Sequence, residues 1–589
     1  MKNKIKATFQ TLQGVGPILW NAVKSGQLFR PACELTEPDP DILCEYDVKI
    51  PLSEGFSVTA NVYRSKNAQE KGEKLPVVMC AHPYDNHLTP ALKKTPLSGP
   101  PQQYRLIPQA GRPVFSKLTS WESPDPNFWV SAGYVVVNMN MPGFANSEGP
   151  PSAFSEHQAK CYYEAIEWVA KQPWCNGKVG LNGVSYLAIS QFHVAACQAY
   201  GGPPPSLCAI SPWEGITDLY RDVFSFGGVS ETGFPAFWWN LEVKPTINGT
   251  EEDFVKSEGS VPTDYIKSHP FYDAYWKEKA AKLEEITVPM LVCASFSDHG
   301  LHTMGSFRAF MKAKSKHKWV YTHRTGKWDA YYSAEVQKLT KDFMDCFLKD
   351  DYSSGFLDTS PVRLEVRSSL KEIHEIRREN EWPIALTEYT KLHLSGQPQA
   401  LSFEMSERAA EIKYPAKHGK AVFDYQFTED TELSGYMKLR VWVEARPLKA
   451  GDAHPDDMVM FLAINKLDKA GNSVRFYGSV GSKSDMVTRG FCKVSMRELD
   501  PLESTEWHPV QKGTSEQKLK PGEIVPVEIG FYPSSTYFAA GEGLQLIVSS
   551  SEIIPSPPYK KSEDCNHGRH VLHSGEDFDS HLLVPVVPQ

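Results

Sequence analysis

No stretch of the 589-residue chain stays apolar for the roughly 18 residues a membrane span requires, so no partner membrane is expected. The amino end is basic at Lys2, Lys4 and Lys6. It is then broken by Gln10, Gln13, Gly14 and Gly16, so no secretory leader is expected. Basic runs are missing as well. With 62 Lys and Arg against 71 Asp and Glu, the formal net charge is −9, which leaves no basic face for a nucleic acid. There is no CxxC pair. The 11 cysteines are odd in number and irregularly spaced, which favours free thiols in a reducing, cytoplasmic setting. No internal repeat and no low-complexity tract interrupts the chain. The Asn248-Gly249-Thr250 sequon is what chance supplies at this length.

What is present is globular: 41% hydrophobic and 23% charged residues. At roughly 150 residues per domain, about two to four domains are expected. In the first half, Pro76 to Ala81 (PVVMCA), Tyr134 to Met139 (YVVVNM) and Val179 to Asn182 (VGLN) read as buried strands. Phe56 to Tyr63 alternates apolar and polar residues. Between the second and third buried strands, Tyr162, Ala165, Ile166, Val169 and Ala170 recur at helical spacing within Ser155 to Gln172. Strand, helix, strand implies a right-handed parallel crossover and an α/β sheet. Pro289 to Ser295 (PMLVCAS) and Lys318 to Thr322 (KWVYT) continue it, followed by a helical stretch at Glu335 to Leu348. Trp213 to Leu283 is rich in aromatics and poor in strand signals. It reads as a helical insertion capping a pocket, the alternative being an aromatic core between helices.

From about Asp351 the pattern changes to short strands separated by Gly, Pro and Asp-rich turns. Val362 to Val366, Lys391 to Leu394, Ala421 to Phe427, Met437 to Glu444, Met458 to Leu467 and Ile524 to Phe531 are examples. This predicts a jelly-roll β-sandwich. The expected division is an α/β-hydrolase domain over 1–212 and 284–352, a helical cap over 213–283, and a jelly roll over 353–589.

The sharpest local signal is Gly183-Val184-Ser185-Tyr186-Leu187-Ala188, between VGLN and an apolar helical stretch. A serine hydroxyl is a weak nucleophile that must be exposed beside a base. A tight strand-to-helix turn with small neighbours achieves this. Gly183 is one small neighbour; the usual second glycine is Leu187 here, with the small residue displaced to Ala188. Chain order then asks for an acid and a histidine, each just past a later strand. Asp298 follows PMLVCAS and His323 follows KWVYT directly, whereas its rivals His299, His302 and His317 do not leave a strand end. The expected triad is therefore Ser185, His323 and Asp298. Asp298 as a plain helix cap is the alternative. For the oxyanion, the backbone N–H of Tyr186 is one donor. The loop His82-Pro83-Tyr84-Asp85 lacks the Gly-rich string of many hydrolases, and the Tyr84 hydroxyl is the candidate second donor.

These segments together resemble the CocE/NonD hydrolase family, relatives of cocaine esterase, the α-amino-acid ester hydrolases and the X-Pro dipeptidyl-peptidases. The resemblance is carried by HPYD, by NMPGFANSEG at Asn140 to Gly149, and by GVSYLA. The tail adds FDYQFTEDTELSGYMKLRVWV at Phe423 to Val443, PGEIVPVEIGFYPSS at Pro521 to Ser535, and DSHLLVPVVP at Asp579 to Pro588. It extends from about Asp47 to the end. It implies the same three-part architecture, with Ser185 as acyl nucleophile, Asp298 and His323 as partners, and Tyr84 with the Tyr186 amide at the oxyanion. Two departures stand out. The family's frequent D-x-R-G is Asn140-Met141-Pro142-Gly143, so a structural Asp/Arg contact is expected to be missing. The histidine of cocaine esterase follows G-P-W-x-H, whereas here the strand ends His323-Arg324-Thr325-Gly326-Lys327-Trp328.

Neither a cofactor nor a metal is expected. Cys565, His567, His570 and His573 have suggestive spacing, but on a strand 567 and 573 point away from 570. The expected reaction is hydrolysis of a small-molecule carboxylic ester through an acyl-enzyme. Amide or X-Pro peptide cleavage, or transfer to another acyl acceptor, would use the same triad. A free-ammonium substrate would need carboxylates near its acyl group; Asp218 and Asp222 are the candidates, since His299 and Gly300 follow Asp298. From another class, an inert protein with a carbohydrate-recognising sandwich stays open, as does a homodimer.

Overall fold

Alternate residues of the buried strands face different cores, which is why those strands are apolar throughout. In the computed structural model, which describes residues 20, 23, 32–92, 100, 104, 111–478, 484–555 and 558–588, the first half forms one sheet. The glycine-broken basic amino end, through residue 19, lies outside the described residues. The strands are β1 (Ile42–Pro51), β2 (Ser57–Ser65), β3 (Leu75–His82), β4 (Val135–Asn140), β5 (Cys175–Val184), β6 (Leu207–Trp213), β7 (Met290–Ser295) and β8 (Lys318–His323). They lie in the order β1-β2-β4-β3-β5-β6-β7-β8, antiparallel where β2 meets β1 and β4 and parallel elsewhere. Helices α1 (Glu156–Ala170) and α2 (Tyr186–Ala195) belong to one face. Val77 and Met79 of β3 join Ile166 and Phe192 there, whereas Val78 joins Phe343 and Leu348 on the other. This is an α/β-hydrolase domain.

Strand β6 was not foreseen, because Ser211 and Pro212 interrupt its apolar run. Between β6 and β7 the chain makes short helical turns and the helix α3 (Glu251–Glu258), which starts on a Thr250/Asp253 capping box. Trp276, Phe224 and Tyr265 pack into its aromatic core. This insert is tied to the hydrolase domain by a buried ion pair. Lys279 Nζ lies 2.5 Å from Glu258 Oε2 and donates to the Ala153 carbonyl, while Glu258 Oε1 accepts from the Ala153 N–H. Asn140, at the family's Asp/Arg position, makes neutral bonds instead: it accepts from the Asn86 N–H and donates to Thr59.

After β7 come α4 (Thr303–Lys312), β8, the short α5 (Lys327–Tyr331) and α6 (Ala334–Met344). Then β9 (Val362–Arg367) adds to β8 in parallel and carries the chain into a β-rich domain. One of its sheets places Lys438–Arg446 between Val525–Gly530 and Arg569–Ser574; the other places Gly543–Ser549 between Lys420–Gln426 and Val459–Leu467. Leu439, Val441 and Val443 of the first sheet share a core with Leu462, Ile464 and Leu546 of the second, as a sandwich requires. Arg367, 1% exposed, closes the junction. Its guanidinium donates to the carbonyls of Phe296 (3.2 Å), Val487 (3.1 Å) and Ser535 (3.3 Å), and burial lowers it to about 9.

Candidate active site

Ser185 sits on the β5–α2 turn with φ 59° and ψ −116°, a strained conformation that lifts the side chain off the sheet top. Gly183 has φ +149°, and a Cβ there would fall 2.6 Å from that of Leu187. The small position therefore lies at 183 and the bulky neighbour at 187. Ala188 has the same relation to Gly215, where an added Cβ would come 3.2 Å from the alanine methyl.

The structure brings Ser185 and Asp298 together, but through a different imidazole. Ser185 Oγ is 3.1 Å from His302 Nε2, and His302 Nδ1 is bonded to Asp298 Oδ2. His302 is the N-cap of α4, one turn beyond Asp298 in the loop after β7. Gly300, at φ +89°, lets that loop fold back. The expected placement of His323 against Asp298 and Ser185 is thus corrected. His323 pairs with Ser295 at the strand end, and its ring stacks on Trp213 with centroids 5.6 Å apart. Its Nε2 meets Glu214 Oε1 at 2.5 Å. A strand-terminal side chain is captured by its sheet neighbours, whereas the post-β7 loop overhangs the serine. The i, i+4 spacing of Asp298 and His302 was the available signal, outweighed by the strand-end rule.

Asp298, His302, Glu214, His323 and Lys327 are buried, and Ser185 is half-buried. Lys327, first residue of α5, puts Nζ 3.2 Å from Asp298 Oδ2 and 3.2 Å from His302 Nδ1. Although burial opposes it, the Lys327 ammonium and the hydrogen bond from His302 hold Asp298 below the usual carboxylate range. Burial, then Lys327, lowers His302 to about 4. Burial, then the neighbouring Asp298 charge, raises Glu214 well above the ordinary value. Glu214, Asp298 and His302 bring donor atoms within 4.8 Å of one another, as do Glu214, Cys293 and His323. An ammonium against the first set opposes a metal cation there.

Ser185 and His302 open into a narrow pocket lined by Phe154, Ile216, Leu219, Phe224 and Trp238, with no charged side chain in its wall. Tyr84 lines it as well. Its hydroxyl oxygen accepts from Trp238 Nε1 at 3.0 Å, which leaves its own proton to donate. The Tyr186 N–H is the first amide of α2, where a helix leaves its donors without internal partners. The tyrosine's hydroxyl donates to Gln158 instead of facing the serine. Of the acids at the start of the insert, Asp218 is paired with Arg221 and Asp222 with Arg308.

Among known proteins, residues 54–329 match the X-Pro dipeptidyl-peptidase (S15 family), and 354–583 match the X-Pro dipeptidyl-peptidase C-terminal non-catalytic domain. A CocE/NonD family hydrolase from Staphylococcus aureus superposes with a TM-score of 0.83 at 35% identity, over 93% of this chain and 94% of that one. Cocaine esterase of Rhodococcus sp. (strain MB1 Bresler) is 25% identical over 92% of this chain and 98% of its own length. An aminopeptidase from a marine sediment Thaumarchaeota archaeon shares the fold, with a TM-score of 0.67 at 15% identity, covering 93% of this chain and 97% of that one.

Proposed function

Starting from a chain that belongs to the CocE/NonD family of hydrolases and is a serine hydrolase, we propose that it cleaves carboxylic esters with a neutral, apolar acyl group, using Ser185, His302 and Asp298. The contact of Ser185 Oγ with His302 Nε2, at the mouth of an uncharged aromatic pocket, carries this reading. Ser185 attacks the ester carbonyl while His302 Nε2 takes its proton. The oxyanion is received by the Tyr84 hydroxyl and the Tyr186 N–H. His302 then protonates the departing alcohol, and water repeats the sequence on the acyl-enzyme. Asp298 keeps the imidazole's other nitrogen protonated and stays ionised.

A substrate with a free ammonium is disfavoured because Asp218 and Asp222 are already neutralised by arginines. Glu242 of the insert acts on Tyr84 electrostatically, and with burial raising it to about 7 it is only about half ionised at neutral pH. A panel of aryl esters and aminoacyl-prolyl anilides decides the matter. The expected kcat/KM for neutral esters exceeds that for the anilides by a hundredfold or more, and the reverse order would replace ester by peptide cleavage.

A further inference from the structure

We propose that Lys327 is a positioning residue for acyl transfer: its ammonium, set between the Asp298 carboxylate and His302 Nδ1, holds Asp298 as the anion that accepts from Nδ1–H and drives the transferred proton onward. This rests on the Ser185–His302–Asp298 reading.

The charges and hydrogen bonds around Lys327, which is 7% exposed, support that role. An ammonium only donates, so Nδ1 of His302 faces a donor in Lys327 and an acceptor in Asp298. Were Nδ1 a lone pair, it would accept from Lys327 but stand against an ionised carboxylate oxygen in hydrogen-bond contact. Protonated, it satisfies Asp298 and leaves Nε2 as the acceptor aimed at Ser185. Lys327 then donates to Asp298 Oδ2.

The ammonium is matched to a single anion. Asp298 Oδ1 and Glu214 Oε2 are both buried without a hydrogen-bond partner, and the two carboxyls belong to the same cluster. A proton on Glu214 satisfies both oxygens and removes one negative charge, while Glu214 Oε1 still accepts from His323. Burial raises Glu122, whose Oε1 accepts from Trp328, well above the ordinary value too. Glu242 faces the site from the insert and Tyr559 from the β-rich domain. Asp298 is therefore the counter-ion of Lys327. When His302 takes the serine's proton, an imidazolium forms with its Nδ1 3.2 Å from the ammonium. That repulsion weakens His302 as a base and strengthens it as an acid toward the leaving group.

The test reads the acid limb of the pH profile. In the native protein, fluorophosphonate labelling of Ser185 is expected to stay constant down to about pH 5 and fall below it; a limb at the ordinary imidazole value of about 6.5 overturns the proposal. In Lys327→Met the limb is expected to move up by a unit or more, with kcat lowered and KM unchanged; a limb that stays in place overturns it. Lys327→Gln and Lys327→Arg serve if the Met variant does not fold: the limb is expected to move up in the first and to stay in the second, and an unmoved limb in Lys327→Gln overturns the proposal. His302→Asn separates the two readings. Near-native turnover in it sinks the triad, whereas its loss together with an unmoved Lys327→Met limb sinks the lysine's role alone.

Discussion

Two buried histidine–carboxylate pairs, Asp298–His302 and Glu214–His323, lie side by side in one cluster, and they differ in what else the imidazole meets. His302 Nε2 meets a strained serine, whereas the His323 ring lies with its face stacked on Trp213. Burial lowers both imidazoles to about 4. The carboxyls part company: Asp298 is held ionised beside Lys327, whereas Glu214 is pushed towards its neutral form. A histidine beside a carboxyl is therefore not a catalytic signature until its second nitrogen and the acid's charge state are known.

The comparison breaks most decisively at the nucleophile. Ser185→Ala is expected to lower turnover by on the order of 10⁴ or more and to abolish fluorophosphonate labelling seen by intact mass. His302→Asn should cost on the order of 10³ or more in kcat with the melting temperature little changed. Tyr84→Phe is expected to lose on the order of 10²–10³ in kcat; undiminished turnover would remove Tyr84 from the oxyanion site. By contrast, His323→Asn should keep kcat within about tenfold of native, and a loss matching that of His302→Asn would reverse the assignment of the two pairs.

The smallest expected effect is on stability. Folded His323 stays neutral to about pH 4, whereas the unfolded side chain takes up a proton near 6.5. Its contribution is complete above about pH 6.5 and is lost as pH falls towards 4, at about 1.4 kcal/mol per unit. The drop in melting temperature between pH 7 and pH 5 should be smaller in His323→Asn than in the native chain.

The sheet was legible wherever burial on both faces forced β-branched runs, as at Val77 to Ala81 and Val135 to Met139. It was not at Leu207–Trp213, where Ser211 and Pro212 mask the run. In the β-rich half, Thr431–Gly435 and Ser534–Phe538 went unseen because their serines and threonines bond across strands, as Ser434 does with Ser535. At the site, Ser185 and Asp298 stood out by their places after strands. His302 did not, because its role depends on a loop folding back at Gly300. Lys327 looked like a departure from a family string, and only the fold sets it against the acid.

Arg367 draws its three carbonyl acceptors from separate places: one from the acid's own loop, two residues before Asp298, and two from the sandwich. Asp298 is thus located partly by residues that never approach a substrate. A chain cut after Met344 would keep the elbow and the pocket wall yet lose an abutment of its acid loop. Shuffling or deleting the carboxy-terminal half therefore reaches the chemistry through Arg367, without touching any residue of the pocket wall.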